Sequence, residues 1–134
     1  MEFLHNYQKV SFDLCIVNEL SKTNPEKLIK DAESLSLAKE ESAGSFFMIG
    51  RGCLGRPWIF EELITGEKPK FNMQQLVQTH LDALLNYYGK KGIFIARKHL
   101  AWYAKGKTGM ADFCREVFKE SNPNKVSKMV ADFF

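Results

Sequence analysis

The chain has little that would point to a secreted, membrane-bound or metal-built protein. Three cysteines, Cys15, Cys53 and Cys114, form an odd set without CxxC spacing, so neither a disulfide framework nor a zinc site is indicated, and all three read as reduced thiols. No stretch approaches the run of about eighteen apolar residues that a membrane helix requires. The opening MEFLHNYQKV lacks the basic-then-apolar build of a signal peptide, and the expectation is a cytoplasmic protein without membrane or metal. There are no repeats and no low-complexity tract. With 45% hydrophobic and 26% charged residues, a disordered chain is excluded, and 134 residues suit one compact domain.

Negative charge is unevenly spread along the chain. Residues 1–46 carry five Lys or Arg against eight Asp or Glu, and the remainder carries fourteen against eight. The positive part is the one suited to a polyanion. Between Asp82 and Asp112 no acidic residue occurs, while Lys90, Lys91, Arg97, Lys98, Lys105 and Lys107 supply six positive charges. Release of counterions from a nucleic acid makes such a cluster a plausible RNA backbone site, although a solvated basic helix face has the same composition.

The densest motif is Met48 to Phe60, MIGRGCLGRPWIF. Ser45 to Ile49 is a short β-prone run, Gly50, Gly52 and Gly55 permit a tight turn, and Pro57 suits the first position of a helix. Backbone N–H groups at such a junction favour an anion, and Arg51 adds a two-pronged charged grip. Glycines and an arginine near a helix start also occur in loops that bind nothing. Cys53 lies inside the turn with no histidine near it in sequence, so packing is the favoured role over nucleophilic attack. Cys15 and Cys114 fall in apolar-patterned segments and read as small buried residues.

Apolar spacing predicts four helices beyond Gly66. Asn72 caps the first, whose face is Met73, Leu76, Val77, Leu81, Leu84, Leu85 and Tyr88 with His80 beside them, and Gly89 ends it. Ile93 to Lys105 is the second. Met110 to Lys119 is the third, with Phe113, Val117 and Phe118 inward. Asn122-Pro123 starts the fourth, striped by Val126, Met129, Val130 and Phe133. Short connections favour antiparallel neighbours, with aromatics as the expected core. Upstream, Phe12 to Val17 is a candidate strand, and Asn24-Pro25 begins a helix expected to run to about Lys39.

Ala96 to Gly106, ARKHLAWYAKG, follows the glycine motif by about forty residues, and the two blocks in this order resemble the C-terminal part of the bacterial tRNA-dihydrouridine synthases. The resemblance covers about Phe47 to Phe134. It implies a fold that is mostly α with a small α/β remnant: the C-terminal fragment of a TIM (β/α)₈ barrel followed by a small four-helix bundle. Residues 1–44 would be a divergent remnant of the penultimate strand and helix, 45–68 the last strand, phosphate turn and following helix, and 69–134 the helical tRNA-binding domain. A whole barrel needs about 250 residues, so most of it, with the loop carrying the family's catalytic cysteine, is not in these 134 residues.

In the family NADPH reduces a bound FMN, hydride passes to C6 of a tRNA uridine, and the cysteine protonates C5. The resemblance carries over only the phosphate end of the FMN site, Gly50, Arg51 and Gly52, and a tRNA-contacting set, Arg97, Lys98 and Lys105; no catalytic residue is assigned. The family's Asn-Gly-Asp-like flavin turn is matched only by Asn18-Glu19-Leu20, where Glu19 and Leu20 depart from it, so Asn18 receives no role. A lone phosphate grip corresponds to a Kd on the order of 1 mM, about 4 kcal/mol. The expectation is therefore an FMN-dependent tRNA-modifying enzyme by descent, inactive as an isolated chain unless a partner chain supplies the rest of the barrel. The alternative is a stand-alone RNA-binding module. Trp102 and Tyr103 are expected to pack rather than stack on bases.

Overall fold

The computed structural model describes residues 29–41 and 47–134, and within them the chain is mostly helical. Six helices are formed: α1 (Ala32–Glu41), α2 (Ile59–Thr65), α3 (Met73–Tyr88), α4 (Gly92–Ala104), α5 (Met110–Val117) and α6 (Pro123–Phe133). The chain divides into two compact units. One holds α1 and α2 with Pro57–Lys68; the other holds Leu54–Arg56 together with Pro69–Phe134.

In the first unit, the helix expected from Asn24 does not run unbroken to Lys39. Ile29 to Asp31 are non-helical, and residues 24–28, like the candidate strand 12–17 and the turn at Asn18, lie outside the described residues. Asp31 makes the helix start: its Oδ1 accepts the Ser34 amide at 2.8 Å and the Ser34 hydroxyl at 2.6 Å, while Ser34 Oγ accepts the Lys30 amide at 3.0 Å. This reciprocal cap satisfies amides that a helix beginning earlier would have tied up in its own ladder.

The strand expected through Ile49 is also not formed where it is described. Phe47 to Ile49 is irregular, and no strand occurs among the described residues. A β-prone run becomes a strand only when a neighbour completes its hydrogen bonds, and no described segment pairs with this one. Helix α2 begins at Ile59, two residues after Pro57, which sits in the preceding turn. Trp58 and Ile59 are buried, and Gly66 ends the helix in the left-handed conformation with its N–H on the Glu62 carbonyl.

The second unit follows the predicted helix pattern closely. Asn72 Oδ1 accepts the Gln75 amide at 2.9 Å, Asn122 Oδ1 accepts the Asn124 amide at 3.0 Å, and each cap contributes about 1 kcal/mol. Helix α3 packs against α4 and α6, and α5 packs against both α4 and α6, so the four helices close a ring. Its interior is chiefly aliphatic: Val77 and Leu81 from α3, Ile93 and Leu100 from α4, Val117 from α5, and Val126 and Val130 from α6 are buried. Removing each from water stabilises the fold by roughly 1.5–3 kcal/mol.

The expectation of an aromatic core is corrected. Tyr103 and Phe113 are buried, with Phe113 stacked on Phe133 at 4.2 Å between ring centroids, but Tyr87, Tyr88, Phe94 and Phe118 are exposed. Phe118 was expected to point inward. Helix α5 stops at Val117, and at about 100° per residue a side chain five positions after Phe113 lies well off its stripe.

Candidate functional site

Each unit holds one predicted set of residues. In the first, Arg51–Cys53 is a single 3₁₀ turn, closed by the Cys53 amide on the Gly50 carbonyl at 3.3 Å. The Cys53 thiol donates to the same carbonyl at 2.9 Å. Burial pushes that thiol's pKa up, which keeps it protonated and poorly nucleophilic. The cysteine thus serves the turn.

The three residues assigned to a phosphate differ in what surrounds them. Gly50 and Arg51 are exposed, and a Cβ added at Gly50 meets nothing within 4 Å, so an anion's oxygen has room to approach the backbone there. Gly52 is different: a Cβ there would run into the Ile29 carbonyl oxygen. Its glycine is accounted for by packing against Ile29. The turn thus leaves the Gly50 backbone open next to exposed Arg51, while Gly52 lets it pass close to Ile29.

In the second unit, Lys98 and Lys105 are exposed, whereas Arg97 is half-buried. The Arg97 guanidinium lies 4.7 Å from the centre of the Phe94 ring, and its Nη2 donates to the Glu120 carbonyl at 3.1 Å. It therefore ties α4 to the connection between α5 and α6 as well as carrying charge. Lys105 follows the last residue of α4, its amide on the Trp102 carbonyl at 3.3 Å. Lys98 and Lys105 are the two members of the set whose ammonium groups have no described structural task.

Sequence reasoning missed a cluster of aromatic and imidazole rings between α3 and α4. His80 Nδ1 lies 3.0 Å from the Tyr103 hydroxyl, His80 and His99 rings are 4.7 Å apart, and His99 meets Trp102 edge-on at 5.2 Å. Burial lowers the His80 pKa. Burial, then the charges of His80 and Lys98, push His99 down to about 4, so both imidazoles are neutral at neutral pH. Spacing held part of the signal, since His99 and Tyr103 stand four apart on one helix face. The pairing with His80 needs the tertiary fold. No group of three potential metal ligands occurs among the described residues, and no described helix is long and apolar enough to cross a membrane.

Comparison with known proteins places these features. The family model described as dihydrouridine synthase matches residues 28–133. A probable tRNA-dihydrouridine synthase of Rickettsia typhi is 34% identical over 116 residues, covering 78% of this chain and 36% of the relative. tRNA-dihydrouridine synthase B of Xanthomonas axonopodis pv. citri is 41% identical over 103 residues, covering 70% of this chain and 31% of the relative. A Proteus vulgaris tRNA-dihydrouridine synthase B reaches 49% over 67 residues, 43% of this chain and 21% of the relative. The chain thus spans about a third of the length of the curated relatives it matches, 36% for the Rickettsia protein. No solved structure matches.

Proposed function

This chain belongs to the dihydrouridine synthase family, and from that premise we propose that it supplies two binding elements of a tRNA-dihydrouridine synthase: the phosphate-holding end of the flavin site and the tRNA-contacting helical domain. The observation that carries this reading is that both motif blocks stand in folded, exposed settings suited to anions. Gly50 and Arg51 present an open turn, and Lys98, midway along α4, and Lys105, just after its end, are both exposed.

FMN, reduced by NADPH, provides the hydride chemistry of such an enzyme when bound. This chain's share is to hold its phosphate through Arg51 and the backbone at Gly50, with Gly52 keeping the turn tight. That grip alone is too weak to retain the cofactor, and these residues include no catalytic cysteine loop. The share of these residues is therefore binding, and the turnover chemistry of such an enzyme belongs to its other parts. The small four-helix bundle formed by residues 69–134 is the part that meets tRNA, through phosphate contacts that position rather than read sequence.

A second reading, a stand-alone RNA-binding module, is favoured by one observation: α3 to α6 close on their own aliphatic core. The test titrates FMN and unmodified tRNA into the purified chain at low and moderate salt. Salt-sensitive tRNA binding, weakened in a Lys98→Ala, Lys105→Ala variant with a slope shallower by about 1.5, is expected. Binding that ignores both lysines overturns the assignment. Retention of stoichiometric flavin by this chain alone overturns the weak-grip reading.

A further inference from the structure

The turn between α3 and α4 carries an arrangement that packing does not explain. Tyr87 and Tyr88 end α3, Gly89–Lys91 is a 3₁₀ turn, and Phe94 lies in the first turn of α4. Tyr87 is 80% exposed, Phe94 57% and Tyr88 48%. The two tyrosine rings meet edge-on at 4.7 Å between centroids. Lys90 and Lys91 are exposed on the turn itself, and Arg97 covers one side of the Phe94 ring.

Large rings in water at a turn usually cost solubility and bring nothing to the fold. Here Lys90 and Lys91 share the turn with them, and Arg97 lies on Phe94. The acidic residue whose backbone meets Arg97, Glu120, has its own carboxylate occupied by the Ser121 and Asn122 amides at 2.9 and 2.8 Å and by Lys125 at 3.5 Å. Asp82, a turn and a half earlier on α3, accepts from Gln78 at 3.0 Å. Exposed π-faces beside uncompensated lysines match a ligand with flat rings and a polyanionic backbone. An acidic polypeptide would use the lysines and leave the rings in water.

We propose that the α3–α4 turn is a stacking platform for an unpaired nucleotide of RNA, with Tyr87 and Phe94 offering ring faces to bases and Lys90 and Lys91 holding the flanking phosphates. This rests on the RNA-binding reading of the helical unit and adds a second contact, apart from Lys98 and Lys105, that prefers a loop or bulge to a continuous duplex. Bases in a duplex are already stacked; only splayed ones are free to lie on a side chain.

The experiment compares two fluorescently labelled ligands of equal phosphate number on the full chain, a single-stranded oligouridylate and its abasic counterpart, with unmodified tRNA alongside. Expected results are tighter binding of the base-bearing oligomer, a loss of about fivefold or more for Tyr87→Ala, and recovery in Tyr87→Phe. The salt slope stays unchanged in Tyr87→Ala and falls by roughly 1.4 in a Lys90→Ala, Lys91→Ala variant. Equal affinity of the two oligomers, or an unaltered affinity in Tyr87→Ala, overturns the platform. If tRNA binding then still depends on Lys98 and Lys105, the RNA-binding reading stands without it. Absence of any RNA binding by the parent overturns both, and preference for polyglutamate over RNA at the same residues shows a protein surface instead.

Discussion

The α-carbon of Gly55 faces the Trp102 backbone so closely that a Cβ added to it would lie 2.6 Å from the Trp102 carbonyl oxygen and 2.7 Å from the carbonyl carbon. One residue belongs to the glycine motif and the other to the basic helix motif, and both lie in the same compact unit. Gly55, which the glycine motif contributes to this unit, therefore packs directly on the basic helix motif. Gly55 also has a φ of +75°, so its glycine is required twice, for conformation and for contact.

Replacing Gly55 with alanine is expected to cost about 1–2 kcal/mol for the left-handed backbone and about 1–3 kcal/mol for the collision. At roughly 4–8 °C per kcal/mol for a domain of this size, thermal unfolding should move down by about 10 °C or more. Gly50→Ala is the matched control, because its added Cβ meets nothing within 4 Å and its φ is ordinary; its melting point should hardly change. Equal melting points for the two variants would refute the packing role of Gly55.

The His80–Tyr103 hydrogen bond at 3.0 Å joins α3 to α4 in a half-buried setting. In Tyr103→Phe the ring volume stays while the hydroxyl goes, leaving His80 Nδ1 without this partner. A loss of about 1 kcal/mol follows, readable by urea unfolding as a lower midpoint at constant slope. A variant as stable as the parent would mean that water replaces the hydroxyl without cost.

What the chain revealed beforehand divides by the range of the interactions involved. Asn72, Gly89 and Asn122-Pro123 act within a few residues, and the helix ends they predict are found within a residue or two. Strand formation at Phe47 to Ile49 depends on a neighbour, and local β-propensity alone misread it. The turn at Gly50 to Gly55 was readable as a glycine pattern, but its three glycines serve different ends: Gly50 is open, Gly52 clears Ile29, and Gly55 clears Trp102. Nothing local distinguishes them. Arg97 likewise looked like Lys98 in sequence, and only the fold assigns it to Glu120 and Phe94.

His99 gives the fold a pH dependence with a definite sign. Its folded pKa of about 4 lies below the ordinary 6.5, so between those values the unfolded chain takes up a proton that the folded chain refuses. Stability is full above about pH 6.5, falls as pH drops through that window, and levels off below about 4. Because the ring is partly exposed, the loss is discounted to on the order of 1 kcal/mol. Trp102, 5.2 Å away, reports the event locally, since an imidazolium quenches indole emission. In a Trp58→Phe background, where Trp102 is the remaining tryptophan, quenching should have its midpoint near pH 4. A midpoint near 6.5 would show that His99 is solvated.

Arg97 is expected to part company with the two lysines it accompanies. Arg97→Ala removes the donor to the Glu120 carbonyl and the cation over Phe94, at about 1–2 kcal/mol from the charged hydrogen bond and ring contact together, so it should lower both the melting point and tRNA affinity. Lys98→Ala and Lys105→Ala remove exposed charges and should leave stability within about 0.5 kcal/mol while each takes roughly 0.7–0.9 from the salt slope of tRNA binding. Arg97→Lys discriminates further. A lysine keeps the charge but lacks the planar fork that reaches a carbonyl while lying on a ring, so it should preserve the salt slope and still unfold early. Melting curves and binding isotherms on the same four proteins settle the matter: an Arg97→Lys protein as stable as the parent, or a Lys98→Ala protein as fragile as Arg97→Ala, would show that the division of labour on α4 is drawn in the wrong place.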